Sequence, residues 1–91
     1  MAKERKQIQP QSGPDKAFGE ALRETRKERG ISQMDLYAVS GIDRTYISAV
    51  ERGLQSPTIR MIARFAKYLK VKPSELVLRM ENSKWYSEGS L

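Results

Sequence analysis

Residues 41–53 read GIDRTYISAVERG, a stretch in which hydrogen-bonding side chains recur at a spacing that becomes meaningful on a helix. At about 100° per residue, Arg44, Thr45, Ser48, Ala49 and Arg52 gather on one side, and Asp43, Ile47 and Val50 on the other. The second face is fit for a core. The first is short, polar and positive, and its chemistry is recognition, because nothing beside it could activate a nucleophile or hold a metal ion. The chain has no histidine and no cysteine, no Gly-rich phosphate loop and no carboxylates at metal-ligand spacing, so no catalytic site, metal or cofactor is expected. Glu20, Glu24 and Glu28 do recur in i+4 steps, but Lys16, Arg23 and Lys27 neighbour them. A solvated, charge-laced helix face accounts for that set.

A ten-residue helix cannot stand alone, and the remainder of the chain must position it. With 91 residues, the chain amounts to one small domain, whose helices must pack economically or pair with another subunit. Its hydrophobic content of 38% lies under the usual range of about 45–50%, so part of the chain is expected to stay out of the core. A net charge of +6 points to a polyanionic partner. The charge is unevenly spread: residues 57–80 hold Arg60, Arg64, Lys67, Lys70, Lys72 and Arg79 against Glu75 alone, while residues 31–56 are slightly acidic. No run of 18 apolar residues and no signal-peptide pattern occurs. A cytoplasmic protein without a membrane partner is expected, and the lack of cysteine fits a reducing compartment. Residues 57–80 are basic and amphipathic, as an interfacial helix would be, but a core requires their apolar stripe.

The hydrophobic period then sets the organisation. Residues 1–14 carry too few apolar side chains to offset chain entropy and read as a disordered arm. From Asp15, the residues Phe18, Ala21, Leu22 and Thr25 recur at helical spacing until Gly30 stops the helix. Ser32 is a good N-cap for a second helix carrying Leu36 and Val39. Ser40-Gly41 leaves only a tight turn before Asp43 caps the third, and two short helices joined in this way form a helix-turn-helix. Gly53 closes the third helix. Thr58 caps a fourth with Ile59, Ile62, Ala63, Ala66 and Leu69 as its stripe, and Pro73 opens a fifth through about Met80, with Leu76 and Val77 available to pack. The expected fold is all-α with five helices, a domain over residues 15–80 and a polar tail over 81–91.

From about Phe18 to Val77 the chain resembles the Cro/CI-type helix-turn-helix family, the lambda-repressor-like domains of the XRE regulators. The resemblance rests on FGEALRETRKERG, SQMDL, SGIDRTYIS, VERG, SPTI, FAKYLKV and PSEL, with Gln33, Leu36, Gly41, Ile47, Val50, Glu51 and Gly53 fitting without a gap. DRTYIS also looks like the controller proteins of restriction-modification systems. The resemblance implies a regulator of transcription whose helix 43–52 enters the major groove of double-stranded DNA. Arg44 would then make a bidentate contact to guanine, Thr45 would offer a hydroxyl and a methyl, Ser48 a shorter polar reach, and Ala49 close approach. Gln33, at a helix N-terminus, would meet a phosphate, as would Arg52 and, at the edge of the groove face, Tyr46. Arg26 and Glu51 match a paired position tying the first helix to the third, and Arg26 is expected to approach the DNA backbone as well.

The family commonly binds as a symmetric pair, and Met61, Tyr68, Leu78, Met80 and Trp85 are the residues expected to form a homodimer interface. The rival reading is a protein-interaction module on the same fold, an adaptor or an antitoxin with a protein partner, which would need an apolar anchor on the outward face of the third helix. The chain departs from the family at Tyr37, where a small residue is usual because the third helix crosses close by. A ring there must turn outward or force the helices apart.

Overall fold

The computed structural model describes residues 13–87 and Leu91. The arm expected over 1–14 lies outside the described residues except for Gly13 and Pro14, which open the first helix. The chain forms α1 (Gly13–Glu28), α2 (Gln33–Ser40), α3 (Arg44–Glu51), α4 (Ile59–Leu69) and α5 (Pro73–Glu81), and no strand among the described residues.

Local chemistry starts α2, α4 and α5. At α2 the Ser32 hydroxyl accepts from the Asp35 N–H at 2.9 Å, and the Asp35 carboxylate accepts from the Ser32 N–H at 3.0 Å. The Ser32 N–H, and after it the Ser32 hydroxyl, hold the Asp35 carboxyl below its ordinary value. Thr58 accepts from the Met61 N–H to begin α4, and Pro73 occupies the first position of α5. Asp43 stands at the N-cap position of α3 but its side chain makes no capping bond, and it is exposed although the helical wheel set it beside Ile47 and Val50. Its backbone, at φ −53° and ψ 131°, is not helical, so the helical period does not yet apply to its side chain.

Each helix places at least one side chain in a single core: Phe18 and Leu22, Leu36, Ile47 and Val50, Phe65 and Leu69, and Leu76, with Ile42 contributed by the turn. α1 packs chiefly on α5 and α3, and α4 on α5 and α2. Tyr46 of α3 lies parallel to Phe65 with ring centroids 6.4 Å apart. The fourth helix is rotated from the expected stripe. Ile59 is 85% exposed and Ala63 is also outside, while Phe65, which recurs with Met61 and Tyr68 off that stripe and reads from the sequence as a further core residue, is fully buried. Burying an aromatic ring under Tyr46 removes more apolar area from water than burying an isoleucine in the first turn. Val39 and Val77 likewise face outward. Tyr37 turns outward as well, so the α2–α3 crossing accommodates the departure from the small residue without being forced apart.

Thr25 is buried in α1 with its hydroxyl lacking a hydrogen-bond partner among the described residues. Thr25→Val keeps the shape and removes the unpaired group, and should stabilise the fold by about 1 kcal/mol, read as a rise in the denaturation midpoint at unchanged m-value.

Candidate nucleic-acid interface

The third helix is held by a turn whose polar groups are satisfied. Gly41 takes the left-handed conformation at φ 74°, which lets its N–H close α2 on the Tyr37 carbonyl. The buried Ser40 hydroxyl donates to the Leu36 carbonyl at 2.6 Å and accepts from the Ile42 N–H at 3.0 Å. Arg64 of α4 donates from Nη2 to the Ser40 carbonyl at 3.0 Å, placing a guanidinium at the negative end of α2.

The C-terminal end of α3 is tied by charge. Arg26 donates from Nε and Nη2 to the two Glu51 carboxylate oxygens at 2.7 and 3.0 Å, and from Nη1 to the Ile31 carbonyl at 2.9 Å. The two side chains are only 9% and 4% exposed. Gln33 Nε2 adds a third bond to Glu51 Oε1 at 3.0 Å. One carboxylate on α3 thus gathers α1 and the start of α2. The expected Arg26–Glu51 pair is present, and Arg26 is turned inward with three of its N–H donors spent on protein acceptors rather than on the surface. Gln33 keeps its place at the α2 N-terminus, its amide oriented by Glu51.

Beside this tie, a groove of about 180 Å³ is lined by Gln33, Arg44, Thr45, Ser48 and Arg52. Arg44, Thr45 and Arg52 are exposed, Ser48 half-buried, and none of the five is a carboxylate. Neither Arg44 nor Arg52 forms an ion pair among the described residues. Ala49 is half-buried and stands outside this lining. Tyr46 belongs to a different depression with Asp43, Met61 and Arg64, and burial pushes its phenol up from the ordinary value.

The five residues expected at a dimer interface differ in burial and surroundings. Met61, Tyr68 and Met80 pack against the core as half-buried side chains. Leu78 is exposed beside Val77 on α5. Trp85 lies elsewhere, over Lys16 at the start of α1, because the tail folds back there: Ser83 Oγ donates to Glu20 at 2.7 Å. The α1 carboxylates also depart from expectation. Instead of pairing along α1, Glu24 and Glu28 meet Arg79 of α5. Arg79 is the first cause that lowers the Glu28 carboxyl below its ordinary value.

Sequence reasoning missed Gly19. A Cβ there would stand 2.6 Å from the Glu51 carbonyl oxygen and closer still to that of Val50, so α1 crosses the end of α3 at backbone contact. The available signal was a glycine inside a helical pattern, which calls for a packing reason. Gly53, at φ 76°, brings the turn after α3 against the Lys16 backbone in the same region.

Residues 22–76 match a family model described as helix-turn-helix. The chain is 36% identical over 62 residues to an uncharacterised HTH-type transcriptional regulator of Sinorhizobium fredii, covering 68% of this chain and 80% of that one. It is 32% identical over 61 residues to the HTH-type transcriptional regulator SinR of Bacillus subtilis, covering 66% and 55%. Among solved structures it is similar to the restriction-modification controller protein C.AhdI from Aeromonas hydrophila, with a TM-score of 0.64 and 41% identity over 67% of this chain and 92% of that one. The controller protein C.Esp1396I matches with a TM-score of 0.68 and 29% identity, over 76% and 90%.

Proposed function

The chain belongs to the XRE-type helix-turn-helix family of DNA-binding transcriptional regulators, a family that is not enzymatic, and we propose that it reads double-stranded DNA by setting α3 in the major groove. The observation that carries this reading is the carboxylate-free face of α3, where exposed Arg44 and Thr45 flank Ser48, with Gln33 and Arg52 at its edges. Arg44 supplies the fork that matches guanine N7 and O6, Thr45 and Ser48 add shorter hydrogen bonds, and Gln33 and Arg52 hold phosphates on either side. The adaptor or antitoxin reading requires an apolar anchor on this face, which carries none.

Binding is as a homodimer on a palindromic or near-palindromic operator, its half-sites about one helical turn apart. The exposed Val77–Leu78 edge of α5, which includes one of the residues expected at the interface, is our candidate surface for a second copy. C.AhdI and C.Esp1396I, both restriction-modification controllers, make transcriptional control of that kind a specific form of the proposal.

The test is selection from a randomised duplex library, followed by anisotropy titration of the recovered sequence. Arg44→Ala should cost about 1–3 kcal/mol, roughly 5- to 150-fold in affinity, and should relax the preference at one guanine per half-site. Recovery of no consensus, with weak binding that vanishes as salt rises and is unchanged in the variant, would overturn the reading.

A further inference from the structure

We propose that the DNA-facing surface continues past Arg52 onto α1 and the C-terminal segment, where Arg23, Lys27 and Lys16 contact backbone phosphates of duplex flanking the base-read sequence. Arg52 borders two grooves. One is the groove of the α3 face, and the other, of about 510 Å³, has Lys16, Arg23 and Lys27 of α1 on one wall and Arg52 and Trp85 opposite. The two surfaces are therefore contiguous, and a strand leaving the first meets the second.

The charge of this second groove is positive despite three carboxylates in its lining. Glu51 is neutralised by Arg26 and Glu24 faces Arg79, both arginines standing outside the lining; Glu20 accepts from the uncharged Ser83 hydroxyl. Arg23, Lys27 and Arg52 make no ion pair among the described residues. Lys16 is held without being neutralised: its ammonium sits 4.1 Å from the centre of the Trp85 ring, which attracts a cation through its quadrupole and leaves the full charge available to a phosphate. The tail that brings Trp85 there is itself fixed, with the Trp85 N–H donating to Ser83 Oγ at 3.1 Å and that hydroxyl donating to Glu20. A run of cations spread along one groove, with Lys16 held in place by Trp85, suits the sugar-phosphate backbone, whose contacts carry affinity and salt dependence without sequence preference.

This inference rests on the DNA-reading role of α3, and the experiment separates the two. The probe is the duplex recovered by selection, made in a short form limited to the base-read repeat and a long form extended by about one helical turn at each end. Affinities of the wild type and of Arg23→Gln/Lys27→Gln are measured by anisotropy over a range of salt, with thermal midpoints confirming that these exposed substitutions leave the fold intact. On the long duplex the double variant should flatten the log-affinity against log-salt slope by about 1.8, since two phosphate contacts are lost at about 0.9 each. On the short duplex its slope and base preference should match the wild type. Trp85, the single tryptophan of the chain, should change its fluorescence on adding the long duplex and not the short one. An unchanged slope on the long duplex, or an equal loss on both, would overturn the flank assignment while leaving the α3 reading in place. Failure to select any consensus would instead fail that reading.

Discussion

Glu51→Ala is expected to destabilise the domain by about 3–5 kcal/mol and to lower its melting temperature by at least about 12 °C. The deleted carboxylate accepts three hydrogen bonds, two from Arg26 and one from Gln33. Once it is gone, a guanidinium that is almost wholly buried keeps only the Ile31 carbonyl. Leaving one ion of a buried pair uncompensated is far costlier than never having had the pair, and total stability for a small domain is only about 5–15 kcal/mol. The pair's contribution to fold and to function can be separated with Arg26→Met/Glu51→Leu. Replacing both ions by apolar groups should restore most of the stability, because the desolvation cost disappears with the charges. DNA affinity should not return with it, since Gln33 loses the acceptor that orients its amide and α3 loses its polar tie to α1. Chemical denaturation and anisotropy on the same preparations decide the matter. Recovery of both properties would show that the ions serve stability alone, and an unchanged Glu51→Ala protein would remove the pair from the account altogether.

Gly19→Ala is expected to cost about 3 kcal/mol, against the usual direction for such a change within a helix. At an ordinary helical position alanine gains up to about 1 kcal/mol over glycine. Here the added methyl meets the Val50 and Glu51 carbonyls at distances that real Cβ atoms do not adopt. Backbone atoms cannot rotate aside as a side chain would, so α1 and the last turn of α3 must separate. The displaced turn carries Glu51 and leads into Arg52, so DNA affinity should fall by more than the unfolded fraction accounts for. Gly30→Ala is the comparison: open space surrounds it, and its cost should be limited to the left-handed backbone penalty of about 1 kcal/mol. Equal melting temperatures for the two variants would contradict the close crossing.

The five helices and most of their ends are legible along the chain, because the signals are local. Ser32, Thr58 and Pro73 start helices through their own hydrogen bonds or fixed φ, and Gly41 closes α2 because it adopts positive φ without a steric cost. The polar face of α3 is legible in the same way, since the 3.6-residue period alone puts Arg44, Thr45, Ser48 and Arg52 together. Features that depend on which elements touch emerge from the packing of the helices. The rotation of α4 follows from a ring buried under Tyr46, and a single helix's own period leaves the edge of its apolar stripe undefined. The Arg26–Glu51 tie was expected from the resemblance, but the depth at which the guanidinium is buried and its further bond to the Ile31 carbonyl follow from how α1 packs on α3. The glycine at the α1–α3 crossing and the fold-back of Trp85 onto Lys16 likewise rest on contacts between distant segments, and a period read along one segment carries no information about the approach of another.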